Sequence, residues 1–149
     1  MHHRMSLLKR FARYAEAFET TYDDDNWSRL KEFFTDDVVY EAKAPFSATI
    51  AGVDAVLVHF HNSVDAFDRK FRERRLLPTR PPSEEGDRVV MAWEATYETS
   101  GAPELRLEGT ETAYFRGDRI CRLEDEFAPD LAETVASWMA AHAPKLLTT

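Results

Sequence analysis

Apolar residues recur every three or four positions through Leu7, Phe11, Tyr14, Phe18 and Tyr22, a spacing that predicts a first helix over roughly residues 6 to 24 with one buried stripe. Asp23 to Asn26 interrupt the stripe and offer an N-cap for a short second helix containing Trp27, Leu30, Phe33 and Phe34. Val38, Tyr40 and Ala42 then alternate with Val39, Glu41 and Lys43 as the inward side of a first strand, and Lys43 to Gly52, with Pro45 and Phe46, reads as a loop. From Gly52 a third helix carries Val53, Val56, Leu57, Phe60, Val64, Phe67 and Phe71 on one face for about five turns, a stripe that must lie on a sheet.

The second half of the chain changes period from helical to alternating. Arg72 to Leu77 is a weak strand, and Pro78, Pro81 and Pro82 mark it as an edge running into a loop that ends at Gly86. Met91, Trp93, Ala95 and Tyr97 form the inward face of the next strand, and Ser100-Gly101-Ala102-Pro103 turns it into another. That strand places Leu105, Leu107, Gly109, Glu111, Ala113 and Phe115 on one side, and its successor places Cys121, Leu123, Asp125 and Phe127 there. Pro129 opens a C-terminal helix with Leu131, Val135, Trp138 and Met139. The expected fold is α+β: one domain over residues 6–142, with helices on one face of a curved antiparallel sheet and short tails at 1–5 and 143–149.

Glu111 and Asp125 are the only charges on the inward sides of their strands. A three-residue Gly117-Asp118-Arg119 hairpin loop would pair Phe115 with Cys121 and Ala113 with Leu123, and so set Glu111 opposite Asp125. Two carboxyls side by side in an apolar space share a proton, because burial and a neighbouring negative charge both oppose ionisation. A two-residue Gly-Asp turn would instead slip the register by one and send Asp125 to solvent.

The net charge of −8 over 149 residues, with no cluster of Lys and Arg among aromatics, argues against nucleic acid as a partner. The densest basic stretch, Arg69 to Arg75, reads as a solvated helix end followed by an outward strand face. Cys121 is the single cysteine, so neither an intrachain disulfide nor a cysteine zinc site can form, which fits a reducing, cytoplasmic setting. Arg4, Lys9, Arg10 and Arg13 punctuate the N-terminal stretch, which reads as neither a signal peptide nor a membrane span. His2 and His3 are set aside from any metal argument, and Glu111, Asp125 and a histidine have no metal-binding spacing of their own. No phosphate loop, CxxC pair, HExxH helix or nucleophile elbow is present, so no metal or cofactor is expected.

The element order, together with the strings RLKEFFTDDVVYE, GDRVVMAWEATY and GTETAYFRGDRI, resembles the nuclear transport factor 2-like superfamily over roughly residues 7 to 128, particularly its SnoaL-like polyketide cyclase and ketosteroid isomerase branches. The resemblance implies a cone in which a bent antiparallel sheet wraps three helices around a deep pocket, as in a cystatin-like α+β barrel, usually in a homodimer. It places Glu111 where ketosteroid isomerases carry a protonated acid in an oxyanion hole. Tyr14 matches their hydroxyl donor, although one extra helical turn before FFTDD lets Phe18 take that place. The position of their general base is Ala42 here, so their proton shuttle needs Asp125 as a substitute. The epoxide hydrolase branch sets an arginine between two aspartates, and no arginine falls on the inward faces assigned above.

The SnoaL-like cyclases need one pocket acid to move a proton while an enolate is held in an apolar cavity, a role that falls to Asp125. The dehydratase branch would find its counterpart in Tyr14, Tyr40, a third-helix histidine and Asp125. His61 lies on the flank of the Phe60 stripe and His59 nearer solvent, whereas alignment from Gly52 turns His59 toward the pocket. The resemblance therefore implies acid/base chemistry by Asp125, Glu111 and Tyr14 on a small hydrophobic molecule lined by Phe18, Tyr40, His59, Phe60, His61, Trp93 and Phe127. The outward face with Thr110, Thr112, Tyr114 and Arg122 is the expected dimer surface. A non-catalytic ligand-binding module is the alternative.

Overall fold

The computed structural model describes residues 6–147. Helix α1 (Leu7–Asp24) starts at Ser6, whose hydroxyl accepts from the Lys9 N–H at 3.2 Å, and stops at Asp25, which turns into the left-handed region at φ 64°. Its buried residues Leu7, Phe11 and Tyr14 follow the predicted stripe. The second helix is a 3₁₀ segment, Trp27–Phe33, in which Trp27, Leu30 and Phe33 recur every third residue and all point inward. That spacing matches three residues per turn, which is why the tighter helix forms here.

Strand β1 (Phe34–Ala42) leads to β2 (Ala48–Ala51), a short strand inside the stretch expected to be loop. Helix α2 (Val53–Ala66) ends before Phe67 and Phe71, although both continue its stripe; a 3₁₀ turn, Asp68–Lys70, re-aims the chain into β3 (Glu73–Pro78). The remaining elements are β4 (Ser83–Glu85), β5 (Arg88–Glu98), β6 (Leu105–Arg116), β7 (Arg119–Phe127) and α3 (Leu131–His142). Past α3 the chain stays docked: the Leu147 N–H donates to the Lys70 carbonyl at 2.8 Å, and the Thr99 hydroxyl to that of Lys145 at 3.2 Å. Among the described residues no helix is long and apolar enough to cross a membrane.

The strands form one curved, open sheet of seven in the order β2-β1-β7-β6-β5-β3, with β4 also on β5. It is mixed rather than wholly antiparallel, because β1 runs parallel to β7. A parallel neighbour requires a long crossover, and here the whole chain from β2 to β6 supplies it.

The hairpin between β6 and β7 corrects the expected loop. Arg116 pairs with Arg119, so the turn has two residues, Gly117 and Asp118, with Gly117 at φ 65°. Phe115 pairs with Ile120, not Cys121, and then Tyr114 pairs with Arg122. Cys121 is the extra residue of a β-bulge, and the bulge restores the register that the short turn would have shifted. The reason is burial: Ile120 is fully buried and lies beside Phe34 of β1, so the larger apolar side chain takes the inward place expected for Cys121. Beyond the bulge Ala113 faces Leu123 and Glu111 faces Asp125.

Two apolar clusters fill the concave side. The larger joins α1, the 3₁₀ segment and α2 to β1, β6 and β7; the smaller packs Phe71, Ala95, Tyr97, Leu105 and Leu107 against Leu131 and Trp138 of α3. Phe127 touches both.

Candidate functional site

Cross-strand register builds the site. Ala42 on β1 pairs with Asp125 on β7, Asp125 with Glu111 on β6, and Glu111 with Met91 on β5. These four residues form one row across four strands, facing the helices, because strand alternation puts every second side chain on the same side. The row on one side is Tyr40, Leu123, Ala113 and Val89; the row on the other is Phe127, Gly109 and Trp93. Two carboxyls thus sit side by side between a row that is aliphatic but for Tyr40 and one that holds Phe127 and Trp93.

The carboxyls are hydrogen-bonded to each other, and the Tyr40 hydroxyl donates to Asp125 Oδ2 at 2.5 Å. Burial, followed by the charge of Asp125, pushes the Glu111 carboxyl well above its ordinary pKa. Burial also raises Asp125, but hydrogen bonds from Glu111 and Tyr40 and the proximity of His59 hold it down. Both carboxyls are thus raised and hold a proton between them, and the Tyr40 O–H on Asp125 favours the charge on that side of the pair. Both side chains are enclosed deep in the protein, yet water still reaches part of each.

Tyr14 on α1 is buried among Phe11, Phe18, Phe33 and Phe34, and its pKa is raised first by burial and then by the charges of Glu111 and Asp125. Phe18 lies one turn on, half-buried against Trp27 and Phe60. His59 on α2 tilts over the Tyr40 ring at 5.3 Å; burial lowers its pKa and the charge of Asp125 raises it. Phe60 meets the same tyrosine edge-on at 5.1 Å. His61 lies elsewhere: it stacks on Trp27 at 5.2 Å and pairs with Asp65 at 3.2 Å and Asp25 at 3.5 Å, with 41% of its side chain exposed.

Trp93 lies across Gly109, where a Cβ would come within 2.4 Å of the indole. Glycine is needed here for close approach of the ring to the strand. Phe127 meets Trp93 edge-on at 6.1 Å, and Phe46 from the Lys43–Ser47 turn covers Phe127 at 4.9 Å while remaining 58% exposed. The turn is anchored at the site, because the Lys43 N–H donates to the Asp125 carbonyl at 2.9 Å. Alternation turns Met91 inward, as expected, but nothing local in the sequence announces where Phe46 folds back.

A second buried polar cluster corrects the expectation that no arginine faces inward. Arg74 pairs with Tyr97 across β3 and β5, and its side chain is only 6% exposed. It bonds Asp68 at 2.8 Å and Glu19 at 2.7 Å, with Tyr22 under its guanidinium at 4.6 Å and the Tyr97 hydroxyl donating to Asp68 at 3.4 Å. Apart from both clusters, a wide groove of about 650 Å³ runs between α3 and β6, lined by residues such as Glu104, Arg106, Glu133 and Trp138. It takes in none of the residues of the carboxyl row. Among the described residues no group of three or more His, Cys, Asp or Glu side chains is placed to hold a metal ion.

With the geometry in place, comparison with known proteins adds the lineage. A family model for the SnoaL-like domain matches residues 12–123, three quarters of the chain and every strand that forms the carboxyl row except the last residues of β7. The chain belongs to the SnoaL-like domain family. Among curated proteins none matches it. Among solved structures, the SnoaL-like domain is similar to a protein named as a SnoaL-like polyketide cyclase from Shewanella putrefaciens (TM-score 0.68, 11% identity, 92% of this chain and 88% of that one). It is also similar to TerC co-crystallised with polyporic acid (TM-score 0.65, 18% identity, 91% and 99%). A third is a protein of ketosteroid isomerase-like fold from Catenulispora acidiphila in complex with trimethylamine (TM-score 0.62, 19% identity, 85% and 92%). At these identities the likeness establishes the fold of the SnoaL-like domain and leaves its chemistry to its own side chains.

Proposed function

We propose that this SnoaL-like domain is a small-molecule enzyme that moves a proton on a hydrophobic, polyketide- or steroid-like carbonyl compound bound in a pocket over the carboxyl row. The observation that carries the reading is the pairing of Glu111 with Asp125 in one inward row, with Tyr40 on the second carboxyl. Directly opposed strand residues have Cβ atoms about 5 Å apart. That separation suits one α-hydrogen and the oxygen of the adjacent carbonyl. Asp125 takes the α-hydrogen as a proton, so the C–H bond breaks and an O–H bond forms. The electron pair moves onto the carbonyl oxygen, where the Glu111 O–H donates to the developing enolate. The pair's single negative charge passes to the enolate and returns when Asp125 gives the proton back to carbon. No other charge need be created.

Aromatic side chains at Phe18, Tyr40, Phe60, Trp93 and Phe127 suit a flat, apolar ligand, and polyporic acid in the TerC structure is consistent with such a site. Ala42 stands where the ketosteroid isomerase base would be, and its register partner is Asp125, so the base is moved one strand along the same row. The grouping of Tyr40, His59 and Asp125 also favours a second reading, loss of water from a hydroxylated carbonyl compound, with the same base and one of the two rings protonating the departing hydroxyl. Pairing of two copies through the outward face at Thr110, Thr112, Tyr114 and Arg122, in a cytoplasmic setting, completes the proposal.

The test is exchange of enolisable bicyclic ketones with deuterated water, followed by proton NMR. Exchange above the buffer rate is expected, and Asp125→Asn should reduce it by about 10²–10⁴-fold, the usual range for a lost acid/base group. Ketones that bind but exchange at the buffer rate would instead make the domain a ligand-binding module.

A further inference from the structure

Tyr40 does more in this site than line it. It stands on β1 in register with Leu123, one inward step from Asp125, and its hydroxyl reaches diagonally to Asp125 Oδ2 at 2.5 Å. Its ring has little freedom. It is 6% exposed and gripped by Phe60 edge-on at 5.1 Å and by His59 at 5.3 Å. A short-stemmed carboxylate on a strand can swing about its own bonds, and a clamped donor on one oxygen removes that freedom. We propose that Tyr40 is the positioning residue of the pair: it fixes the Asp125 carboxylate beside Glu111 and keeps Asp125, rather than Glu111, the proton acceptor.

This inference rests on the proton-transfer reading of the same site. The groups that face Asp125 are Glu111 from β6, Tyr40 from β1 and His59 from α2, with Tyr14 of α1 within reach of its charge. Glu111 and Tyr40 both donate hydrogen bonds to the carboxylate, and His59 is only partly buried. The Lys43 ammonium and the Arg122 guanidinium, the nearest cations along β1 and β7, are bonded to Glu41 on the opposite face. Among the described residues no lysine or arginine therefore shares the task of holding Asp125 ionised, and the tyrosine hydroxyl carries a correspondingly large part of it.

Tyr40→Phe keeps the ring and removes only the donor. Carboxyl carbons of Glu111 and Asp125, followed by NMR without any ligand, should titrate in two steps in the parent protein. In Tyr40→Phe the lower step should rise by about one to two pH units, the worth of a hydrogen bond to a charged group. The acid limb of the ketone-exchange profile should move by the same amount. A tyrosine that merely satisfies its own hydroxyl would lower stability and leave the titration where it was, and that result would overturn the proposal.

Should Tyr40→Phe fail to fold, the parent protein still decides the matter. A short bond of this kind gives a far-downfield hydroxyl proton resonance that disappears in Asp125→Asn, whereas a Tyr40 hydroxyl exchanging freely with water refutes the contact. The titration needs no substrate, so the two readings separate. An unshifted step with normal exchange removes the positioning role alone. A shifted step with no exchange in any variant removes Asp125 as a base, and Tyr40 as its positioner with it.

Discussion

Two buried acid clusters sit in this small domain, and they resolve the same electrostatic problem in opposite ways. Around Arg74, the carboxylates of Asp68 and Glu19 face a guanidinium held between them, and the cluster ties α1 and the 3₁₀ turn after α2 to the edge strand β3. Burial lifts Asp68, but the arginine opposes the lift, and each carboxylate has the guanidinium beside it. At Glu111 and Asp125 no described residue supplies such a cation, and the pair relieves its repulsion by keeping a proton. The compensated cluster is a clasp. The uncompensated one is held in a state that can give and take a proton, which is what acid/base chemistry requires.

The sharpest way to break this comparison is to remove the cation. Arg74→Ala leaves Asp68 buried without a partner, and we expect a loss of about 3 kcal/mol, the low end for breaking a buried pair because Glu19 keeps much of its surface in water. Urea unfolding measures it, and an unchanged midpoint would show that the clasp is ornamental. Asp125→Asn should do the reverse, removing catalysis and sparing the fold.

A smaller effect distinguishes the two clusters by pH. Both carboxyls of the pair have folded-state pKa values raised above their unfolded values. Their contribution to stability is fully present below the ordinary carboxyl range and is lost as pH rises through the folded values. Surface acids such as Asp25 and Asp37 have lowered values and act in the opposite sense, so only a difference between variants isolates the pair. Glu111→Gln should therefore flatten the decline of stability relative to the parent between pH 4 and 8, as read by urea unfolding at fixed pH values, ~4 being the unfolded carboxyl range. Superimposable curves would mean that the two acids titrate normally. The least effect is expected at His61, whose exposed pairs with Asp25 and Asp65 should contribute under about 1 kcal/mol. His61→Gln should leave ketone exchange unaltered, and a large loss there would bring that histidine back into the site.

Much of this was legible in the chain. The stripe of α1, the alternation of β5, β6 and β7, and the two misplaced acids are local patterns, and local patterns follow from backbone geometry at 3.6 and 2 residues per repeat. The reading of Glu111 opposite Asp125 agrees with the register, but its premise did not survive: the loop has two residues, and the bulge at Cys121 makes up the difference. A bulge costs one unpaired residue and is selected by what lies across the sheet, here the burial of Ile120 beside Phe34. The parallel pairing of β1 with β7 was likewise invisible, since neither pattern nor propensity names a partner about eighty residues away, and β2 is too short, at four residues, for alternation to mark it.

The second cluster shows the same limit from the other side. The dense basic run from Arg69 to Arg75 points outward by its charge alone; the place of Arg74 inside depends on Asp68 and Glu19, contributed by other elements, to neutralise it. The sequence by itself determined the faces of the strongly patterned elements, α1, β5 and most of β6 and β7, and that two acids are out of place. The tertiary structure decided which faces meet, and therefore which buried charge has a counter-ion and which must hold a proton, because ionisation depends on neighbours that only folding brings together.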